Sequence, residues 1–88
     1  MVEKINVNRK IKLIWDFRGM DAMPTAQHHA IHLKEYQEKT QDTTILECGF
    51  ETLNEFHHIA FIITYYSEMI RLRDILLPQR AEYAQGVL

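Results

Sequence analysis

The sequence contains few of the residues on which several structural classes depend. Its 88 residues include one cysteine, three glycines and two prolines. The lone Cys48 excludes an internal disulfide and fits a reducing compartment, so we predict a cytoplasmic protein. The glycines form no phosphate-binding loop. The longest apolar run covers only residues 59–63, which is too short to span a bilayer, and we expect no membrane partner.

Neither sign of charge dominates the chain. The net charge is −2 and the basic residues are scattered, so we predict no nucleic-acid partner. A composition that is 47% hydrophobic and 25% charged is typical of an ordinary globular protein. The length allows a single domain over residues 1–88, in which residues 1–8 are either a loose lead-in or an extension of the first strand.

The first firm secondary-structure signal begins at Lys10. Apolar and polar residues alternate from there, and this period of two predicts a strand with Ile11, Leu13, Trp15 and Phe17 on one side. A helix containing residues 25–39 follows and ends near Thr40. Asp21 is its predicted N-cap, and Pro24 lies in its first turn, where the missing N–H is no loss.

Two further strands and a second helix are predicted after the polar run TQDTT. The second strand covers about residues 44–50, and Gly49 within it indicates a bulge. The third strand, residues 56–65, is apolar on both faces, which is typical of a central strand. Ser67 is the predicted cap of a second helix that ends at Pro78. Residues 79–88 are either a short last strand or a helical tail.

This order of elements predicts an α+β protein with a ferredoxin-like plan. The order is β-α-β-β-α, with a final β if residues 79–88 form a strand, and both helices cover one face of an antiparallel sheet. The other face also carries large apolar side chains and needs a cover. A second copy packed sheet to sheet is the simplest cover, so we predict a homodimer.

Five histidines carry most of the unusual chemistry of the chain. His57 and His58 lie on the predicted central strand, and the other three lie on the first helix. At about 100° per residue, His29 falls on the buried stripe of that helix, His32 at its edge beside Tyr36, and His28 further out.

The pattern resembles the dimeric α+β-barrel superfamily, and most nearly its small YciI-like proteins. The resemblance covers roughly residues 11–80, and it is carried by His32-Leu33 with Tyr36, by Cys48-Gly49 and by Ser67-Glu68-Met69. It implies an acid/base pair in a cleft between the helices and the sheet, formed by a histidine of the first helix and an aspartate late in the second.

In this chain the histidine of that pair falls on His32. The family places the aspartate just before a proline, where this chain has Leu77-Pro78, and the nearest candidate is Asp74. The chain therefore departs from the family at one of the two positions. The superfamily also contains monooxygenases, isomerases and plain ligand binders, so the resemblance does not select one reaction.

A metal site is the first candidate for the histidines. Imidazole suits zinc, copper and nickel, and such a site needs about three protein ligands. His28 or His29 gives two ligands together with His32, and His57 or His58 beneath the helix could give a third. The candidate cofactor is therefore a divalent transition metal held by His28, His32, His57 and His58. The alternative is that these histidines are half-buried or solvated and bind no metal.

Acid/base catalysis is the second candidate. A histidine at the edge of a cleft titrates near neutrality and transfers protons in either direction. His32 is the candidate residue, with Asp16 or Asp74 as its orienting carboxylate. Trp15 and Tyr36 would line the ligand pocket beside it, although alternating aromatics on a strand are also typical of a core or a dimer interface.

These observations predict a histidine-lined pocket between the first helix and the sheet. The pocket would bind a small molecule or a metal, and if the protein is an enzyme the expected activity is of a lyase, isomerase or oxygenase kind. The alternative is a structural or interaction domain whose histidines are incidental. Histidines that converge on one pocket would favour the first interpretation, and histidines dispersed over both sheet faces would favour the second.

Overall fold

The chain folds into a four-stranded antiparallel sheet and two α-helices in the computed structural model, which describes residues 9–84. The elements in chain order are β1 (Lys10–Arg18), α1 (Ala22–Thr40), β2 (Glu47–Asn54), β3 (His57–Tyr65), a 3₁₀ turn (Tyr66–Glu68), α2 (Met69–Leu76) and β4 (Arg80–Tyr83). The strand order is β2-β3-β1-β4, so β3 is central as predicted. This α+β architecture is compatible with the predicted ferredoxin-like layout. The predicted lead-in, residues 1–8, and the last residues, 85–88, lie outside the described residues.

Both helices pack against the same face of the sheet. Leu33 of α1 and Leu72 of α2 join one buried cluster with side chains of β1 and β3, namely Ile11, Leu13, Trp15, Ala60 and Ile62. The members from β1 are the odd-numbered residues that the period of two assigned to one face. This helix-side cluster is the main core. Neither α1 nor α2 is long and apolar enough to cross a membrane.

The opposite face of the sheet, called the open face below, carries a second and smaller apolar cluster. Ile14, Ile59 and Phe61 form this cluster with Ile63 packed against it, and all four come from β1 and β3. Ile14 is 1% exposed and Ile59 is 2% exposed within the single chain. Lys12 contributes to this cover, because its ammonium lies 4.7 Å from the ring centre of Phe61 and pairs with Glu51. The apolar side chains of the open face are therefore less exposed than the sequence predicted.

Helix α1 begins without the predicted cap. Asp21 makes no side-chain capping hydrogen bond, because its backbone (φ −100°, ψ 16°) is not in the extended conformation usual for an N-cap. Instead, the Thr25 hydroxyl donates to the Asp21 carbonyl at 3.1 Å. The helix ends at Gln41 in the left-handed conformation, with φ 53°.

Strand β2 differs from its prediction in bounds and in the position of its irregularity. It runs from Glu47 to Asn54, and the register with β3 shifts between Thr52 and Asn54 rather than at Gly49. Gly49 pairs regularly with Phe61, and a Cβ at this position would lie 3.4 Å from the Phe61 ring. The glycine therefore accommodates an aromatic ring across the strand pair and does not mark a bulge.

The predicted second helix divides into two elements. Ser67 lies in the 3₁₀ turn and does not cap α2, which begins only at Met69. Leu77 ends α2 in the left-handed conformation, with φ 55°, directly before Pro78. The Trp15 indole donates to the Leu76 carbonyl at 3.2 Å and so ties the end of α2 to β1. Of the two alternatives for residues 79–88, the described part forms a strand, β4.

Candidate functional site

The histidines lie on different surfaces of the molecule. His57 and His58 are adjacent in β3 and therefore point to opposite faces of the sheet. His57 lies on the open face, and His58 lies on the helix side, where it is 3% exposed. His28 and His32 lie on the exposed outer side of α1, and His29 points inward. By the criterion derived from the sequence, this dispersal favours incidental histidines for the group as a whole.

His29 packs against aromatic rings beneath α1, in agreement with its position on the predicted buried stripe. Its ring centre lies 5.1 Å from that of Trp15 and 5.6 Å from that of Phe17. Its Nε2 atom is buried and has no hydrogen-bond partner within the described residues 9–84. Burial lowers the pKa of His29 below its ordinary value, with a further contribution from His32 and His28. The surroundings favour the neutral ring.

His58 is a satisfied core histidine. Its Nδ1 lies 2.9 Å from the Thr52 hydroxyl, and its Nε2 lies 3.4 Å from the Glu55 carbonyl. Both ring nitrogens therefore have partners in the β2–β3 hairpin, so the side chain stabilises that hairpin.

The structure does not bring His28, His32, His57 and His58 together. His57 lies on the open face, and His58 is enclosed on the helix side by its partners in the hairpin, whereas His28 and His32 are exposed on the outer side of α1. Within residues 9–84, no group of three or more His, Cys, Asp or Glu side chains is arranged to hold a metal ion. The groove between α1 and β2 is lined by Gln27, Ala30, Ile31, Lys34, Cys48, Gly49 and Phe50, and none of these is a histidine.

The open face carries a compact group of ionisable side chains around Asp16. The His57 Nε2 lies 2.7 Å from Asp16 Oδ1. Arg80 donates to both carboxylate oxygens of Asp16, through its Nε at 2.9 Å and one terminal nitrogen at 3.0 Å. The other terminal nitrogen of Arg80 bonds Glu82 at 3.0 Å. We call Asp16, His57 and Arg80 the open-face triad.

The sheet register brings the open-face triad together. Asp16 pairs with Ile59 of β3, so His57 is its diagonal neighbour on the same face. Ile14 pairs with Arg80 of β4, which makes Arg80 the diagonal neighbour on the other side. Asp16 therefore lies between a histidine and an arginine from two different strands.

Two members of the triad, Asp16 and His57, are well shielded, whereas the Arg80 side chain is 40% exposed. The side chains of Asp16 and His57 are only 13% and 16% exposed. The hydrogen bonds from Arg80, followed by that from His57, outweigh burial and hold the pKa of Asp16 at about 2, below its ordinary 3.8. Asp16 is therefore an ionised acceptor at neutral pH.

The remaining predicted site residues lie elsewhere. Trp15 is buried in the helix-side core and Tyr36 packs partly buried against it, so Trp15 is out of reach of a surface ligand. Asp74 is exposed on α2 and pairs with Arg73. His32 has Glu35 and His28 as its neighbours. The structure does not bring His32 together with Asp16 or Asp74.

The sequence named Asp16 as a candidate orienting carboxylate of His32, whereas the structure places Asp16 against His57. Arg80, the other partner of Asp16, was not among the residues selected from the sequence. The alternation of β3 shows that one of His57 and His58 must share a face with Asp16. Which of the two does so depends on the register of β1 with β3, in which Asp16 and His57 are 41 positions apart in the sequence. A comparison with protein-family models, curated proteins and solved structures finds no match for this chain.

Proposed function

We propose that the open face binds a small organic molecule and that His57 acts there as a general base. The observation that carries this proposal is the 2.7 Å contact between His57 and a carboxylate that is itself fixed by Arg80. A histidine oriented by a buried carboxylate is the recurring arrangement of general bases in enzymes.

The tautomer of the neutral His57 ring follows from the charge of its partner. An ionised carboxylate only accepts hydrogen bonds, so the Nε2 atom of His57 must carry the proton that bonds Asp16. The lone pair of the neutral ring then lies on Nδ1. This is the atom that would accept a proton from a bound molecule, and Asp16 would stabilise the imidazolium that results.

The surroundings of the triad suit a molecule with an apolar part and an acidic C–H or O–H group. Ile14, Ile59 and Phe61 form the centre of the open face beside the triad, and because they are only 1%, 2% and 8% exposed they supply a dry floor. The partly buried Ile63, packed against them, supplies the accessible apolar contact. Apolar walls exclude water and strengthen electrostatic interactions. The reaction class is proton abstraction, which is the first step of many isomerases and lyases.

A homodimer is part of the same proposal. Both helices cover the other face, so two open faces packed together would enclose two copies of the triad and exclude solvent from them. The open face carries both signs of charge, in Lys12 with Glu51 and in Arg80 with Glu82, so two such faces can be complementary to each other. The resemblance to the dimeric α+β barrels, which remains a hypothesis, is consistent with this assembly.

Deuterium exchange tests the proposed base directly. A panel of small ketones, 1,3-dicarbonyl compounds and 2-oxo acids is incubated in D₂O with the protein, and loss of the acidic C–H signal is followed by NMR. We expect exchange above background for one structural class of compound, and its loss in His57→Gln. The matched control is His32→Gln, which also removes an imidazole but lies on the outer side of α1 and should retain the exchange.

The alternative function is a structural domain, and the dispersal of the five histidines over both sheet faces specifically favours it. In that case the open-face triad is an ion-pair network that stabilises the sheet. His57→Gln would then lower the stability of the protein without changing exchange of any compound, and exchange at background level with the parent protein would also decide for this alternative.

A further inference from the structure

The outer side of α1 presents two histidine nitrogens to each other, away from the open-face triad. His28 and His32 are one helical turn apart, and their Nε2 atoms lie 2.9 Å from each other with the rings perpendicular. Both residues are exposed. At this distance the N–H of one Nε2 donates a hydrogen bond to the lone pair of the other. A metal ion bound by both rings needs both Nε2 lone pairs, so the donating ring exchanges its Nε2 proton with solvent and carries a proton on Nδ1 instead, and the two ligand nitrogens are then already adjacent.

A carboxylate prepares one of the two rings for this role. Glu35 Oε1 lies 3.2 Å from the Nδ1 atom of His32. A negative charge at this position favours the tautomer with its proton on Nδ1, which leaves the Nε2 lone pair directed at His28. Histidines that bind metals commonly have a carboxylate near the second ring nitrogen, because it fixes the tautomer and raises the basicity of the ligand.

The ligand type favours one metal. The 2.9 Å separation is that of a hydrogen bond between two exposed side chains, so it places both nitrogens within reach of one ion without fixing the angle between the metal–nitrogen bonds. Imidazole suits copper, nickel and zinc, and among the divalent first-row metals a given nitrogen site has its highest affinity for Cu(II). Cu(II) is therefore the metal that this pair should bind most tightly.

We propose that His28 and His32 form a two-histidine chelate for Cu(II), with Glu35 as a positioning residue and water in the remaining coordination positions. This site is independent of the function proposed for the open face. It differs from the four-histidine site predicted from the sequence, since it needs no ligand from β3. It is consistent with the absence of a three-ligand group within residues 9–84.

Calorimetric titration with Cu(II) tests the chelate. The Cys48→Ser variant serves as the common background, because a free thiol reduces Cu(II). We expect one ion per chain. His28→Gln and His32→Gln should each weaken binding at least about tenfold, since loss of even an outer partner of a metal ligand costs about that much. Glu35→Gln should give a smaller loss.

The control is His57→Gln, which removes a histidine from the open face and should leave Cu(II) affinity unchanged. A second readout is the electron paramagnetic resonance spectrum, in which we expect coupling of Cu(II) to two nitrogens in the background protein and to one in His28→Gln. Equal affinity in the background protein and in both histidine variants would overturn the chelate. Tighter binding of Zn(II) than of Cu(II) would overturn the assignment of Cu(II) as the metal.

Discussion

At the scale of single residues, His29 places an unpaired polar atom in the core, and the sequence does not show that this destabilises the fold. A buried ring nitrogen without a hydrogen-bond partner destabilises the folded state by about 1–3 kcal/mol, whereas the ring itself packs against Trp15 and Phe17. The unpaired nitrogen of His29 therefore lowers the stability of the folded protein, and the packing of its ring raises it.

Two substitutions at His29 separate these contributions. His29→Ala removes the packing and should lower the free energy of unfolding by about 1–3 kcal/mol. His29→Leu keeps apolar volume and removes the unpaired nitrogen, so it should raise that free energy by about 1 kcal/mol. Urea denaturation at pH 7.5 measures both. A His29→Leu protein less stable than His29→Ala would show that the nitrogen has a partner we have not identified.

Asp16 should make the protein sensitive to acid. Its pKa is lowered from 3.8 to about 2 in the folded protein, so the unfolded chain binds more protons between these values. The resulting stability is fully present above about pH 4 and is lost as the pH falls through about 2. We expect it to amount to about 1–2 kcal/mol, since Arg80 is partly exposed and the pair is screened by water.

The comparison of the parent with Asp16→Asn measures this contribution. The difference in unfolding free energy should decrease between about pH 4 and pH 2, because the unfolded chain takes up the proton of Asp16 before the folded protein does. Asp74→Asn is the control, because Asp74 is exposed and should give no such difference. A difference between parent and Asp16→Asn that does not change with pH would contradict the assigned ion pair.

At the scale of secondary-structure elements, the end of α2 is strained. Leu77 adopts a left-handed conformation that costs a residue with a side chain about 1–2 kcal/mol, and its side chain is 73% exposed, so little burial offsets the cost. Glycine is the usual residue at this position of a helix C-terminus.

Leu77→Gly should therefore raise the free energy of unfolding by about 0.5–1 kcal/mol, and the melting temperature with it. This value already allows for the greater conformational freedom of glycine in the unfolded chain. Ile75→Gly is the matched control, since Ile75 is also exposed but lies inside α2, where glycine costs about 1 kcal/mol. If Leu77→Gly is also destabilising, Leu77 makes a contact that outweighs its backbone strain.

The elements that follow from local patterns were predicted well. The alternation from Ile11 to Phe17 gave both the strand and its buried side, and the apolar character of β3 gave its central position. Predictions that rested on one residue were less accurate. Asp21 and Ser67 do not cap helices, because capping depends on the backbone conformation and on the exact residue at which the helix begins. Gly49 does not mark a bulge, because the position of a bulge depends on the register with β3.

The candidate site was harder to predict than the fold for the same reason. Asp16, His57 and Arg80 come from three strands, and only the two registers of β1 place them on adjacent diagonals. A sequence shows which residues share a face of one strand, but it does not show the alignment of that strand with its neighbours. By contrast, the contact of His28 with His32 follows from helical spacing alone.

At the scale of the whole molecule, the proposed dimer predicts that a new charge on the open face breaks the dimer, whereas a new charge on the outer side of α1 does not. Ile63 borders the open face and is partly buried, whereas Ile31 is 55% exposed on α1. Ile63→Glu would place a carboxylate in the interface and should shift the protein to monomer, because an unpaired buried charge is costly. Ile31→Glu should remain dimeric. Sedimentation equilibrium distinguishes these outcomes, and a parent protein that is monomeric at tens of micromolar would exclude the dimer.

The central claim is that the open face, not the helix side, is where this protein binds its ligand. Isoleucine δ1-methyl labelling tests it most directly, because isoleucines report on each surface. Ile14, Ile59 and Ile63 lie on the open face, Ile11 and Ile62 lie in the helix-side core, and Ile31, Ile70 and Ile75 are exposed on the helices. We expect small molecules from a fragment library to shift the first group most strongly, and to do so less in His57→Gln. Shifts concentrated on the exposed helix methyls, with the open-face methyls unchanged, would contradict the claim.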